Sequence, residues 1–160
     1  LPTANLVPAA NEPVEAGQTF PIIVDYAHTP DSLLQTLLTA RGLARRRLIV
    51  VFGCGGDRDP GKRELMGQAA ARLADHIIIT NDNPRNEIPE KIAADIAAGF
   101  DSERKYEIIL DRKKAIERGV ELTGKKDALL VAGKGHETYQ EFMGTIVPFD
   151  DREAVKDFFR

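Results

Sequence analysis

The sequence has few of the features that mark several large classes of protein. It contains one cysteine, Cys54, and no tryptophan in 160 residues. A single cysteine cannot form an internal disulfide, which excludes a disulfide-rich secreted domain and suits the reducing cytoplasm. Its apolar runs are far shorter than the roughly 20 residues that a membrane-spanning helix needs. We therefore predict a cytoplasmic protein that has no membrane partner.

An excess of charge of one sign is also missing. The chain has 22 Lys and Arg against 25 Asp and Glu, which gives a net charge of −3 at pH 7. Its one basic run, at 45–47, is typical of a solvated helix end, because cations suit a helix C-terminus. This balance predicts no nucleic-acid partner. No set of Cys and His has metal-ligand spacing, so we predict no metal site in the chain.

Residues 1–19 lack a charged start and an apolar centre, which excludes a signal peptide. The segment has no initiator Met and contains three prolines, at positions 2, 8 and 13. We expect it to be the remnant of a linker from a longer chain. The remaining residues, 20–160, suit a single domain with one substantial core.

Strands and helices are predicted to alternate along this domain. Short apolar runs, mostly β-branched, predict buried strands, and they lie at 20–26, 48–52, 76–80, 106–110, 128–132 and 145–149. The alternation predicts an α/β fold, with a Rossmann-like, mostly parallel six-stranded sheet and helices on both faces. No long helix precedes the last run, so we expect residues 145–149 to form an antiparallel edge strand.

Helix-start signals support this pattern. Thr29 is a predicted cap, and Pro30 suits the first helical position. Another helix pattern starts near Asp111. Asp150 is predicted to cap the last helix, which is expected to bury Val155, Phe158 and Phe159.

Polar or glycine-rich residues follow four of the six predicted strands. These segments are DYAH at 25–28, GCGGDRD at 53–59, NDNPR at 81–85 and GKGHE at 133–137. In open α/β sheets, ligands bind beyond the carboxyl ends of the strands. We therefore expect the four segments to meet in one cleft.

The glycine-rich segment 53–63 matches two nucleotide-binding patterns only in part. Residues 56–62 fit the P-loop pattern, but Arg63 stands where a magnesium-binding hydroxyl is required. The dinucleotide pattern fails because Arg58 replaces its third glycine. A tight turn that projects Arg58 into the cleft is the favoured interpretation. An ordinary charged loop with a helix cap at Asp59 is the alternative.

The DNPR segment combines an acid, an amide and a guanidinium. Pro84 restricts Asn83 to an extended conformation. The planar fork of Arg85 can bind a carboxylate with two parallel hydrogen bonds, and Asp82 and Asn83 can accept from an ammonium group. This set suits a zwitterionic amino acid. The alternative is an internal Arg–Asp pair that fixes the turn.

Two other strand ends leave two interpretations open. His28 can bind a nucleotide or phosphate, or it can serve only as a packed residue at the helix entry. In 133–137, two glycines let the backbone approach a ligand closely. Glu137 can then hold an ammonium, and Lys134 or His136 a phosphate. The alternative is a plain hairpin-like turn.

Taken together and in order, four motifs resemble the C-terminal domain of the Mur ligases of peptidoglycan synthesis. They are VDYAHTPDSL, VVFGCGGDRDPGKR, TNDNPRNEIP and VAGKGHETYQ. The resemblance covers about residues 20–160. It is greatest to the members that add meso-diaminopimelate to UDP-N-acetylmuramoyl-L-alanyl-D-glutamate. In such enzymes ATP activates the carboxylate of the nucleotide-linked peptide as an acyl phosphate, and the incoming amino group attacks it.

The resemblance also implies roles for individual residues. The DNPR motif marks the diaminopimelate-adding type, since lysine-adding relatives lack the Arg. The implied diaminopimelate-binding residues are Arg58, Asp82, Asn83, Pro84, Arg85, Gly133 and Glu137. Asp25, Tyr26 and His28 are implied on the nucleotide side. No catalytic residue is expected in this chain.

The family binds ATP and Mg²⁺ mainly through a central domain and the UDP-sugar through an N-terminal domain. We expect both domains to be partners of this one in the full-length enzyme, with meso-diaminopimelate, the UDP-N-acetylmuramoyl-dipeptide and ATP as ligands. The 160 residues contain no complete P-loop, so we expect this chain alone to be inactive. Residues 7–14, VPAANEPV, stand where the family has a Gly-Arg pair and a following Glu.

Three alternatives remain at the level of function. An independent nucleotide-binding protein is the first, and it depends on the partial P-loop match at 56–62. The other two concern the whole domain. One is a related ligase domain of the Mur or folylpolyglutamate type that uses another amino acid, which the DNPR motif opposes. The other is a non-enzymatic interaction module on the same α/β scaffold, which the four polar strand ends oppose.

Overall fold

A computed structural model describes residues 12–101 and 103–160, so most of the predicted linker lies outside the described residues. Within these ranges the chain forms eight strands and five helices. The strands are β1 (Glu12–Pro13), β2 (Ile22–Asp25), β3 (Leu48–Phe52), β4 (His76–Ile79), β5 (Tyr106–Ile108), β6 (Ala128–Ala132), β7 (Tyr139–Phe142) and β8 (Thr145–Pro148). The helices are α1 (Pro30–Leu43), α2 (Gly61–Leu73), α3 (Pro89–Ala97), α4 (Arg112–Leu122) and α5 (Asp151–Phe158).

Six strands form one sheet in the order β1-β2-β6-β3-β4-β5. All neighbours pair parallel except β1, which runs antiparallel to β2. The central strands β3 and β6 are buried along their whole length, as expected for a parallel sheet that is covered on both faces. This confirms the predicted mostly parallel, six-stranded sheet with one antiparallel edge strand.

The identity of that edge strand differs from the prediction. We expected residues 145–149 at the edge, and this expectation is wrong, because β8 pairs with β7 in a separate two-stranded sheet. Met143 and Gly144 join the two strands, and both have positive φ, 46° and 82°. Positive φ at both central residues is the geometry that closes a tight hairpin. The last apolar run is therefore paired locally instead of joining the main sheet.

The edge position belongs to β1, which lies in the segment predicted as a linker. Val14 follows it and is buried, and its backbone N–H donates to the Ile22 carbonyl at 2.8 Å. A strand of two residues is too short to show a period-2 pattern, which explains why the sequence does not reveal it.

Helices cover both faces of the sheet, as predicted. Apolar side chains of α1, α2 and α3 pack in one core with Val50 and Phe52. Those of α4 and α5 pack in a second core with Ile49 and Val51. Alternate residues of β3 thus point to opposite cores, which is the strand periodicity of two.

The predicted helix starts are confirmed, but one predicted burial is not. Thr29, Asp111 and Asp150 are the N-caps of α1, α4 and α5, and each accepts a hydrogen bond from a backbone N–H of the first turn. The prediction that Phe158 and Phe159 are buried is wrong, because they remain 38% and 37% exposed. They lie at the end of α5, beyond its packed turn. Within the described residues, no helix has the length and apolar character that crossing a bilayer requires.

Helices α2 and α3 approach closely at Gly67, where an added Cβ would lie 2.1 Å from the Ile96 carbonyl oxygen. We predict that Gly67→Ala lowers the free energy of unfolding by about 1–3 kcal/mol, the usual cost of overpacking. Gly42 in α1 is the matched control, since nothing lies within 4 Å of its added Cβ. There alanine should raise the free energy of unfolding by about 0.5 kcal/mol through helix propensity. Urea denaturation of both variants tests this, and stabilisation by both would show that packing at Gly67 is unimportant.

Candidate functional site

A cavity of about 420 Å³ lies where the carboxyl ends of β2, β3, β4 and β6 meet. Segments that follow all four of these strands contribute to its lining, as the sequence predicts. The predicted site residues that line it are Tyr26, His28, Arg58, Asp82, Arg85 and Glu137. Parallel strands bring these residues together because their carboxyl ends lie at the same edge of the sheet.

The other predicted site residues lie behind this lining. Asn83, Pro84 and Gly133 are buried and are not part of the cavity wall. Asp25 is only 3% exposed. Its Oδ2 accepts from the backbone N–H of Ala27 and from the Thr36 hydroxyl, both at 2.9 Å. Asp25 therefore holds the segment around Tyr26 in place.

Glycines allow the segments after β3 and β4 to touch. The Gly56 N–H donates to the Asn83 carbonyl at 2.7 Å, and a Cβ on Gly56 would lie 1.8 Å from the Pro84 carbonyl oxygen. A Cβ on Gly53 would likewise lie 2.0 Å from the Thr80 carbonyl oxygen. Close packing between neighbouring loops thus accounts for these two glycines.

Arg58 projects from a tight turn, as predicted, but the strained residue in that turn is Asp57 and not a glycine. Asp57 has φ 55°. Its N–H donates to Glu87 at 2.6 Å, and its carboxylate accepts from the Asn86 amide at 2.9 Å. Within the described residues, the side chain of Arg58 makes one hydrogen bond, from Nη1 to the Asp57 carbonyl at 3.1 Å. Its exposed guanidinium at the cavity can bind an anionic group.

Arg85 is held between two elements. Its Nη1 donates to the Gly56 carbonyl at 2.9 Å, and its Nε donates to Glu141 Oε1 at 3.2 Å. Its backbone N–H donates to the Glu141 carbonyl, and its carbonyl accepts from the N–H of Met143. The expected alternative, an ion pair inside the turn, is not observed, since the partner is Glu141 in β7. None of these bonds in the described part of the chain uses Nη2, which leaves one edge of the guanidinium for a ligand.

Lys134 is fully buried and is not part of the cavity wall. Its Nζ lies 2.9 Å from Asn83 Oδ1, 3.1 Å from Asp82 Oδ1 and 3.4 Å from Glu137 Oε1. The ammonium that Asp82 and Asn83 meet in this structure is therefore the one on Lys134. His136 lies near β1 instead, with its Nε2 at 3.2 Å from Glu12. These positions do not support a phosphate-binding role for either residue.

Sequence reasoning missed Arg112, which is fully buried beneath the cleft. It forms a two-bond ion pair with Asp151, with N–O distances of 2.7 and 2.8 Å. It also donates to the carbonyls of Asn81 and Ala132 at 3.0 and 3.1 Å. These are the residues directly before Asp82 and Gly133, so Arg112 ties two strand ends together. Its partners are 20 to 39 positions away, and no local pattern reveals them.

Electrostatics distinguish three groups in or near the cavity wall. Partial desolvation at the cavity rim raises the pKa of the Tyr26 hydroxyl, and the charges of Glu137 and Asp82 raise it further. Burial and the charge of Asp82 raise the pKa of the Cys54 thiol to about 12, so this thiol stays protonated and unreactive near neutral pH. The hydrogen bond from Arg63 lowers the pKa of Glu87, which keeps Glu87 ionised where it supports the Asp57 turn.

The fold and the cavity together define a class of protein. An open α/β sheet carries a charged cavity at the carboxyl ends of its strands, with Arg58 and Arg85 in the same wall as Asp82 and Glu137. Such a cavity offers partners for a small ligand that carries charges of both signs.

Comparison with known proteins identifies the family. The model of the Mur ligase, glutamate ligase domain matches residues 12–135, which is more than half of the chain. The chain therefore belongs to this family. The match begins inside the segment predicted as a linker, in agreement with the position of β1.

Two curated relatives from different bacteria have the same name. The chain is 49% identical over 156 residues to the UDP-N-acetylmuramoyl-L-alanyl-D-glutamate–2,6-diaminopimelate ligase of Syntrophomonas wolfei, covering 96% of this chain and 32% of the relative. It is 52% identical over 151 residues to the ligase of that name from Geobacillus kaustophilus, covering 94% and 31%. The chain thus spans about a third of the length of the relatives that it matches.

Solved structures agree with these matches. A structure of a UDP-N-acetylmuramoyl-L-alanyl-D-glutamate–2,6-diaminopimelate ligase superposes with a TM-score of 0.89 at 44% identity, over 96% of this chain and 31% of that one. A folylpolyglutamate synthase/dihydrofolate synthase from Yersinia pestis, complexed with AMPPNP and a Mn ion, gives 0.64 at 15% identity, over 82% and 29%. This second likeness shows a shared fold alone.

Proposed function

We propose that this chain is the amino-acid-binding domain of a cytoplasmic, ATP-dependent ligase that adds meso-diaminopimelate to UDP-N-acetylmuramoyl-L-alanyl-D-glutamate. The observation that carries the proposal is the placing of Arg58 and Arg85 in one cavity with Glu137. Diaminopimelate differs from lysine by a second carboxylate, and two carboxylates call for two cations. The names of the relatives support the same substrate.

The described contacts suggest how this domain contributes to the reaction. Arg85 is fixed on one side by Glu141 and Gly56, so its open edge is preorganised for a carboxylate. Arg58 is the second cation and Glu137 the partner of an ammonium. Holding the amino acid in one orientation presents its other amino group for attack, and such positioning lowers the barrier of a two-substrate reaction. Asn83, Pro84 and Gly133 shape the wall from behind.

In this proposal ATP and Mg²⁺ are bound mainly outside this chain. Across residues 12–101 and 103–160, no group of three His, Cys, Asp or Glu side chains is placed to hold a metal ion. Tyr26 and His28 are our candidates for the nucleotide side. Their rings lie 4.1 Å apart at the exposed rim of the cavity, and Asp25 supports that segment. The chain alone is proposed to lack ligase activity.

A substrate panel tests the proposal. The complete ligase, with ATP and UDP-N-acetylmuramoyl-L-alanyl-D-glutamate, should incorporate meso-diaminopimelate in strong preference to lysine or glutamate. Preference for glutamate would favour a ligase of the folylpolyglutamate type instead. Product formation by the 160-residue chain alone would refute the proposal that ligase activity needs the other domains.

A further inference from the structure

The side chain of Lys134 is an unusual feature of the cleft, because it is a charged group with no exposed surface. Burying an ammonium costs several kcal/mol unless it is paired and hydrogen-bonded. Here three side-chain oxygens lie within 3.4 Å of Nζ, and the ring of Tyr139 lies 5.5 Å away. These contacts surround a residue that does not itself line the cavity.

The partners of Lys134 come from two separate segments. Asp82 and Asn83 follow β4, whereas Glu137 follows β6. Asn83 Oδ1 also accepts from the backbone N–H of Glu141 at 3.0 Å, which links the same point to β7. Lys134 therefore joins the DNPR and GKGHE segments through one nitrogen atom.

The cluster has two carboxylates in the cavity wall and one ammonium behind it. Asp82 and Glu137 both line the cavity, and both lie close to the same nitrogen, so they are near enough to repel each other. Lys134 supplies one positive charge from behind the wall. Asp82 Oδ1 is buried and accepts no aligned hydrogen bond within the described residues, so the nearby ammonium is its charge partner. One net negative charge then remains for a ligand.

We propose that Lys134 is a positioning residue for the ammonium-binding part of this cavity: it orients Asp82, Asn83 and Glu137 and leaves them one net negative charge. This inference rests on the proposed function, because it concerns how the incoming amino acid is recognised. It assigns to Lys134 no contact with the amino acid and no part in the chemical step.

Steady-state kinetics of the complete ligase test this role. Lys134→Met should raise KM for meso-diaminopimelate about 10- to 100-fold, by analogy with groups that orient the ligands of a metal ion. KM for ATP and for the nucleotide-linked peptide should change little. Lys134→Arg, which keeps the charge, should recover most of the loss. Lys91→Met is the control, because Lys91 is exposed and pairs with Asp95 within α3.

A purely structural role gives a different result. Loss of folded enzyme lowers the apparent kcat and leaves every KM unchanged, so that pattern in Lys134→Met would overturn the inference. If this variant does not fold, Lys134→Gln makes the same comparison, since its amide keeps a donor for Asn83 without the charge. If neither variant folds, NMR spectra of the wild-type ligase labelled with ¹⁵N-lysine test the inference. Its Lys134 ammonium signal should shift on addition of meso-diaminopimelate while that of Lys91 stays, and an unmoved Lys134 signal overturns the inference.

The substrate preference of the wild-type ligase tests the proposed function separately from the role of Lys134. If the wild-type ligase prefers another amino acid, the substrate assignment is wrong, and the same KM comparison is made with that amino acid. A selective rise in its KM in Lys134→Met still supports the positioning role, and an unchanged KM still overturns it.

Discussion

Replacing Arg85 by alanine in the complete ligase should remove most of its preference for meso-diaminopimelate over lysine. The second carboxylate would lose its guanidinium partner, and truncating one member of a largely buried charge pair costs about 2–5 kcal/mol, or roughly 30- to 5,000-fold in the ratio of kcat/KM values. Arg85 is suited to this role because its side chain is only 17% exposed and is fixed through Nε and Nη1. Competition between the two amino acids measures the ratio directly.

Two further variants sharpen this experiment. Arg85→Lys keeps the charge but not the planar fork, so it should give an intermediate preference. Arg118→Ala removes a half-exposed guanidinium that pairs with Glu107 at the far edge strand, and it should leave the preference unchanged. If Arg85→Ala still rejects lysine as well as the wild type does, Arg85 does not select the substrate.

Arg112→Met should lower the free energy of unfolding by about 3–5 kcal/mol, because it leaves the buried carboxylate of Asp151 without its cation. Both side chains of this pair have 0% exposure, and two carbonyl oxygens at the strand ends also lose their donor. Urea denaturation of the domain measures the loss. Adding Asp151→Leu should recover part of it, since the uncompensated charge is then gone.

The matched control for this pair lies at the end of the chain. Arg160 pairs with Asp157 and Glu153 on the surface, where its side chain is 62% exposed. Arg160→Met should change the free energy of unfolding by less than about 1 kcal/mol, as is usual for exposed ion pairs. Equal effects of Arg112→Met and Arg160→Met would show that Arg112 does not tie the strand ends together.

The sequence predicts most of the fold because its long elements have strong local signals. The run 48–52 is short, apolar and β-branched, and it becomes the central strand β3. Thr29 and Asp150 precede helical patterns and cap α1 and α5. The edge strand was missed for a physical reason, since β1 is held by pairing with β2 and not by its own two residues.

The sequence predicts where the site lies but not which residues contact each other there. Parallel strands place their carboxyl ends together, so the four polar segments had to meet. The partners of Lys134 and Arg85 depend on tertiary structure. Asn83 lies 51 positions before Lys134, and Glu141 lies 56 positions after Arg85. Sequence spacing therefore left Asp82 and Asn83 as acceptors for a ligand ammonium, whereas the structure gives them an internal one.

The internal ammonium of Lys134 changes which residues are expected to bind the substrate. A ligand ammonium must share the acids of the cleft with Lys134, so Glu137 rather than Asn83 becomes its main expected partner. The two guanidinium groups retain open hydrogen-bonding edges for carboxylates. In our proposal, Arg58 and Arg85 therefore select the amino acid through its carboxylates, while Lys134 sets the charge that the ammonium meets.

A crystal structure of the complete ligase with meso-diaminopimelate bound would show whether this cavity holds the amino acid. We expect the amino acid in the cavity at the strand ends, with one carboxylate on Nη2 of Arg85, the other on Arg58, and an ammonium at Glu137. An amino acid bound in another place, or bound here with neither carboxylate on a guanidinium, would contradict this expectation.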